Sequence, residues 1–106
     1  LLFDILGFEM KSHLTIVVKG KVQGVYFRRD TQLEARKLGV TGTVANQEDG
    51  SVIIHAEAEP NALNTFVAWC HAGPELANVM EVQTSENPME GFTSFEVLAE
   101  PSDFLS

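Results

Sequence analysis

Cysteine is almost missing from this sequence: Cys70 stands alone. No intrachain disulfide and no cysteine-based zinc site can form from one thiol, and a reducing, cytoplasmic setting is expected. Long hydrophobic runs are missing too. Nothing approaches the roughly 20 apolar residues of a membrane span, so no membrane association is expected. Residues 1–9 are apolar, but the stretch is short, contains Asp4 and has no leading positive charge, so it does not read as a secretory signal. Positive charge is scarce: 7 Lys and Arg against 15 Asp and Glu give a net charge of −8. That balance disfavours nucleic acid and anionic surfaces as partners. There is no internal repeat and no low-complexity segment.

What is present suits one small globular domain. The chain has 106 residues, 44% of them hydrophobic and 21% charged, near the average of soluble domains and long enough to sustain one core. The few cations are not spread evenly. Lys19, Lys21, Arg28, Arg29, Arg36 and Lys37 fall in one segment, opposed there only by Asp30 and Glu34. An acidic protein has gathered its positive charge in one place, as a local site for a small anion would require; an ordinary basic helix face is the plainer alternative.

Residues 13–19 alternate, with Leu14, Ile16 and Val18 on one face, and predict a strand. From Phe27 the spacing turns helical: Phe27, Thr31, Ala35 and Leu38 share a face, Leu33 falls off it, and Gly39 is placed to stop the helix. Residues 42–46 and 51–58 predict two more strands joined by a hairpin at Asp49-Gly50. Pro60 suits a first helical turn, and Leu63, Phe66, Val67 and Cys70 follow at helical spacing up to Gly73-Pro74. Residues 79–84 and 93–98 predict the last strands. Residues 1–10 are set apart as an N-terminal extension or cloning remnant, 11–98 as the domain and 99–106 as a C-terminal tail. The order of elements predicts an α+β fold of the ferredoxin-like (βαββαβ) plan, a mostly antiparallel sheet with two helices on one face.

The usual catalytic suspects point nowhere. His13, His55 and His71 show no metal-ligand spacing along the sequence, and each is expected to be solvated or half-buried; no metal site and no cofactor are expected. Cys70 lies on an apolar helix face and is expected to be an inert core thiol, and Trp69 a core residue. Glu57, Glu59, Glu75 and Glu81 are scattered, and a solvated surface accounts for them.

One segment is different. Gly20-Lys21-Val22-Gln23-Gly24-Val25-Tyr26-Phe27-Arg28 joins a strand to a helix start. Two glycines let the backbone turn tightly. The loop empties onto a helix N-terminus, where unpaired N–H donors and the helix dipole favour an anion. Arg28 is a cation at the helix end that disfavours cations, and an anion beside it would remove that oddity. The segment lacks the Gly-Lys-Ser/Thr ending of a Walker A loop, so a nucleoside triphosphate with magnesium is not expected.

Gly20-x-Val22-Gln23-Gly24-Val25-x-Phe27-Arg28 resembles the first signature of the acylphosphatase family. Gly42-x-Val44-Ala45-Asn46, followed after three residues by Gly50-x-Val52, resembles its second. Thr43 stands where an aromatic is usual and Ala58 where glycine is usual. The resemblance covers about residues 13–98. It implies hydrolysis of the carboxyl–phosphate anhydride of a small acyl phosphate, with Gln23, Gly24, Val25, Tyr26, Phe27 and Arg28 as the phosphate-binding loop and Asn46 aiming the attacking water. It also implies that inorganic phosphate or sulfate binds as a product-like ligand. A metal-independent monomer is expected. Two other readings compete: a non-catalytic small-anion binding or regulatory module, and an accessory domain of a larger carbamoyl-transfer protein. An RNA-binding sheet would need exposed aromatics on its central strands, and residues 14–19 and 51–58 offer none.

Overall fold

The computed structural model describes residues 10–100; residues 1–9 of the expected extension (1–10) and 101–106 of the expected tail (99–106) lie outside the described residues. Strand β1 (Ser12–Lys21) carries the predicted alternation. Ile16 and Val18 are fully buried and Leu14 packs at the edge of the same cluster. β1 outruns the sequence pattern at both ends because it is hydrogen-bonded on both sides, to β3 and to β4.

Helix α1 (Phe27–Leu38) buries Phe27, Thr31 and Ala35 and ends at Gly39, whose φ of 74° is the left-handed cap that glycine adopts without strain. Leu33, off the apolar face, is exposed. β2 (Thr41–Asn46) and β3 (Val52–Ala58) form the hairpin around Asp49-Gly50. Helix α2 (Pro60–Ala72) starts on its proline and buries Leu63, Phe66 and Cys70. Half-buried Trp69 lies against Phe27, ring centroids 5.6 Å apart, and so joins the helices. β4 (Asn78–Asn87) and the short β5 (Phe95–Val97) complete the sheet. β4 runs to Asn87 although residues 83–87 are polar and exposed, because its ladder to β1 continues to His13.

The strand order is β4-β1-β3-β2-β5, antiparallel except for β2 with β5. One continuous core joins Ile16, Val18, Val44, Val52, Ile54 and Ala56 of the sheet to Phe27, Ala35, Leu63 and Phe66 of the helices. Both helices therefore cover the same face, as the ferredoxin-like plan requires. Truncating a side chain as fully buried as Phe66 to alanine would cost about 3–5 kcal/mol. Where β2 meets β3, Gly42 sits at φ 146° and a Cβ there would strike the His55 carbonyl oxygen. The close approach needs glycine.

The other face corrects two sequence expectations. Glu57 is not at a solvated surface but buried, and His13 is neither solvated nor half-buried but also buried. The reason is the segment after β4: its backbone N–H groups at Glu90, Gly91 and Phe92 bind the Glu57 carboxylate, so the chain folds over that end of the sheet. Among the described residues, no helix is long and apolar enough to cross a membrane.

Candidate active site

The loop between β1 and α1 is pinned by its apolar residues. Val22 and Val25 are buried in the core, as is Phe27 at the start of the helix, so the intervening backbone must loop outward. Gly24 takes φ 73° and Tyr26 takes φ 67°; Tyr26 is the sole non-glycine residue with positive φ among those described. A left-handed conformation in a bulky residue is a strained state that its surroundings must hold. Tyr26 is also the N-cap of α1 and makes no side-chain capping bond. The first-turn N–H groups, which have no acceptor within the helix, therefore gain none from the cap side chain. Arg29 lies over the Tyr26 ring, its guanidinium carbon 4.4 Å from the centroid, and holds Asp30 at 3.0 Å.

Gln23 braces the loop from behind. Its Nε2 donates to the carbonyls of Gln47 at 2.8 Å and Ser51 at 2.9 Å. The loop is thereby tied to the β2–β3 hairpin and to the end of β2 that carries Asn46. The hairpin is stiffened in turn by Asp49, whose Oδ1 accepts from the Ser51 hydroxyl at 2.6 Å and the Ser51 N–H at 2.9 Å. Those bonds, the hydroxyl first, hold the Asp49 carboxyl below its usual range.

A cavity of about 460 Å³ opens here, lined by Gly24, Tyr26, Phe27, Arg28, Gln32 and Asn46 among others. Arg28 and Asn46 meet on one atom. Glu100 Oε1 accepts from Asn46 Nδ2 at 3.1 Å and lies 3.9 Å from Arg28 Nη2. Arg28 Nη1 also donates to the Leu98 carbonyl at 3.2 Å. The other end of the Asn46 amide, Oδ1, is buried and has no hydrogen-bond partner among the described residues. A buried acceptor of that kind calls for a donor such as a water O–H.

Of the residues singled out from the sequence, Gly24, Tyr26, Phe27, Arg28 and Asn46 line this cavity, while the side chains of Gln23 and Val25 point elsewhere. Gln32 and Glu100 were not singled out. Gln32 lies one helical turn after Arg28 and donates to the Phe95 carbonyl at 2.9 Å, and its spacing could have flagged it. Glu100 carried no sequence signal. Cys70 is buried; burial, and then the Glu34 charge, push its thiol up to about 12, so it is no nucleophile. The arrangement has a guanidinium, uncapped first-turn N–H groups and an amide with a spare acceptor. It can seat an oxyanion and orient a small hydroxylic molecule beside it.

The chain resembles known proteins over this same region. The family model described as Acylphosphatase matches residues 14–97. An acylphosphatase of Marinobacter nauticus is 52% identical over 81 residues, 76% of this chain and 88% of that protein. One from a Nocardioides species is 45% identical over 89 residues, 84% of this chain and 90% of the relative. The crystal structure of an acylphosphatase from Bacillus subtilis superposes with a TM-score of 0.81 at 37% identity, covering 85% of this chain and all of that one (100%).

Proposed function

The chain belongs to the acylphosphatase family and hydrolyses the carboxyl–phosphate anhydride bond of acyl phosphates, and from that premise we propose how its residues divide the work. The β1–α1 loop is the phosphate-binding loop. Its N–H groups, those of the first turn of α1, and the Arg28 guanidinium hold the non-bridging phosphoryl oxygens, a geometry that suits the planar fork of arginine. Asn46 holds the attacking water through Oδ1. The catalytic unit is the domain at residues 11–98, and the lone, buried Cys70 supports a cytoplasmic setting.

The chemistry asks little more. The water oxygen forms a bond to phosphorus as the P–O bond to the acyl group breaks, and the bonding pair leaves with a carboxylate. A carboxylate is a weak base, so it departs without a general acid. The water gives up a proton to a phosphoryl oxygen of the substrate, and the products are the carboxylate and protonated phosphate. Phosphoryl transfer through a loose transition state depends on positioning and on charge stabilisation, which Arg28, the N–H groups and Asn46 supply. No step needs a metal ion.

The observation that carries this reading is the convergence of Arg28 and Asn46 on the single oxygen Glu100 Oε1. Two side chains from separate elements, both lining the cavity, already share one carboxylate oxygen. The test is hydrolysis of benzoyl phosphate, followed by phosphate release, with inorganic phosphate as inhibitor. Competitive inhibition that is lost in Arg28→Ala supports the assignment. Full activity in Asn46→Ala would remove the water from Asn46.

A further inference from the structure

The sheet face turned away from the helices holds a second polar cluster. β1 and β3 pair His13 directly with Glu57, and Thr15 with His55. His13 Nδ1 lies 2.8 Å from Glu57 Oε2. The Glu57 carboxylate also accepts the N–H groups of Glu90 at 2.6 Å, Gly91 at 3.0 Å and Phe92 at 3.1 Å. Burial alone would raise its pKa. The Glu90 N–H, the His13 ring and the other two N–H groups outweigh burial and hold it below the usual carboxyl range. The other groups bonded to this carboxylate are donors, so Nδ1 is the nitrogen of His13 that presents a proton to it.

With Nδ1 turned to Glu57, His13 Nε2 lies 3.2 Å from His55 Nδ1. Thr15 Oγ1 stands 3.3 Å from the same His55 nitrogen while accepting from Asn87 Nδ2 at 2.8 Å. Its own hydroxyl proton can then go to His55 Nδ1. Two imidazole nitrogens 3.2 Å apart can share one proton or share one cation. Glu90 stands nearby, its Oε2 4.0 Å from His13 Nδ1. Donor atoms of His13, His55 and Glu90 all lie within 4.8 Å of one another, beside an open cleft of about 320 Å³.

We propose that His13 Nε2, His55 Nδ1 and the Glu90 carboxylate form a binding site for a zinc-like divalent transition metal, with water completing the coordination. The spacing fits. Nitrogen donors about 2.0–2.1 Å from zinc at tetrahedral angles stand roughly 3.3 Å apart, close to the separation of the two histidine nitrogens. The surroundings fit as well. A metal-bound histidine characteristically gives its other N–H to a carboxylate, which orients the ring and raises its basicity, and Glu57 holds that place. Because Glu57 also binds the Glu90 N–H, one buried carboxylate positions two of the three ligands. Two imidazoles with one carboxylate suit zinc, copper or nickel, whereas magnesium and calcium prefer all-oxygen sites. The metal would strap β1, β3 and the segment after β4 together, on the face opposite the helices and away from Arg28.

The test uses the full-length, untagged chain, stripped with chelator and titrated calorimetrically with zinc chloride, and in parallel with magnesium chloride. One zinc per chain, no magnesium binding, and a melting temperature raised by zinc are expected. Cobalt(II) should give the visible absorption of a four-coordinate site. His55→Ala and Glu90→Gln should each weaken zinc binding about tenfold or more. Glu57→Gln should weaken it by roughly 10–100-fold, as loss of an orienting carboxylate does. Glu90 is exposed, so its replacement leaves the fold intact, and benzoyl phosphate hydrolysis at the wild-type rate verifies this in each variant. If the wild type shows no saturable zinc binding, the cluster is a histidine pair sharing a proton and the proposal fails. It fails equally if His55→Ala and Glu90→Gln bind zinc as the wild type does, since the metal then sits elsewhere.

Discussion

The cradle around Arg28 and the histidine cluster lie on opposite faces of one sheet, and they are assembled in opposite ways. The cradle is mostly local. Residues 20–28 supply the loop, the helix start and the guanidinium in one run of chain, and the hairpin adds Asn46 through the Gln23 brace. The cluster is wholly non-local. His13, His55 and Glu90 come from three separate parts of the chain, and strand register together with one buried carboxylate brings them to one spot. A site of the first kind depends on a few backbone conformations. A site of the second kind depends on the whole sheet.

That contrast can be broken by substitution. The largest effect is expected at Arg28. Arg28→Ala should lower kcat/KM for benzoyl phosphate by roughly 10³-fold or more, as loss of a transition-state arginine does. Phosphate affinity should fall in parallel, and Arg28→Lys should recover little because a point charge lacks the fork. Retained phosphate binding in Arg28→Ala would overturn its role. Asn46→Ala should come next, with kcat down by roughly 10²–10³ and KM nearly unchanged, since the interaction is made with the water and not with the bound substrate. Steady-state kinetics with a phosphate-binding titration separates the two.

Glu57→Gln should show the reverse profile: little change in rate, but a loss of about 1–3 kcal/mol in stability at neutral pH, from weakened bonds to a buried group. The sign of its pH dependence follows from its lowered pKa. The stabilisation is complete above the ordinary carboxyl pKa and is lost as pH falls through the lower folded value. Urea unfolding at neutral and acidic pH should find wild type and Glu57→Gln converging in acid; an unchanged gap would show that the charge of Glu57 is not what stabilises. The smallest effect is none at all. Excess EDTA should leave benzoyl phosphate hydrolysis unaltered if, as proposed, Arg28 and N–H groups meet the phosphoryl charge. Activity lost to chelation and restored by zinc would join the two faces that this picture separates.

Legibility in the sequence tracked that difference. The two helices, the succession of strands and helices along the chain and the loop could be read because each rests on local periodicity or on glycine placement, and Arg28 stood out because it is a cation at the wrong end of a helix. The interior placement of His13 and Glu57 could not, since the covering segment has no periodicity and acts through backbone N–H groups. A weak trace was present. His13-x-Thr15 and His55-x-Glu57 both step by two, so in antiparallel register all four side chains share one face. Without the register, two such pairs are unremarkable. Glu100 reaches Arg28 and Asn46 from beyond the last strand, where no pattern guides a reader.

Strand β3 is the common ruler of both faces. One edge measures out His13 opposite Glu57, and the other sets Asn46 opposite Val52. A slip of one residue would exchange the two faces of the strand, turning the ionised Glu57 into the helix-side core and Ile54 outward. Such a chain could not be nearly right: it would bury a charge stripped of its donors, and Gly42 would no longer oppose the carbonyl it makes room for. The buried carboxylate thus penalises any shifted pairing, and the Arg28 face, which shares the same ruler, is held to the same register.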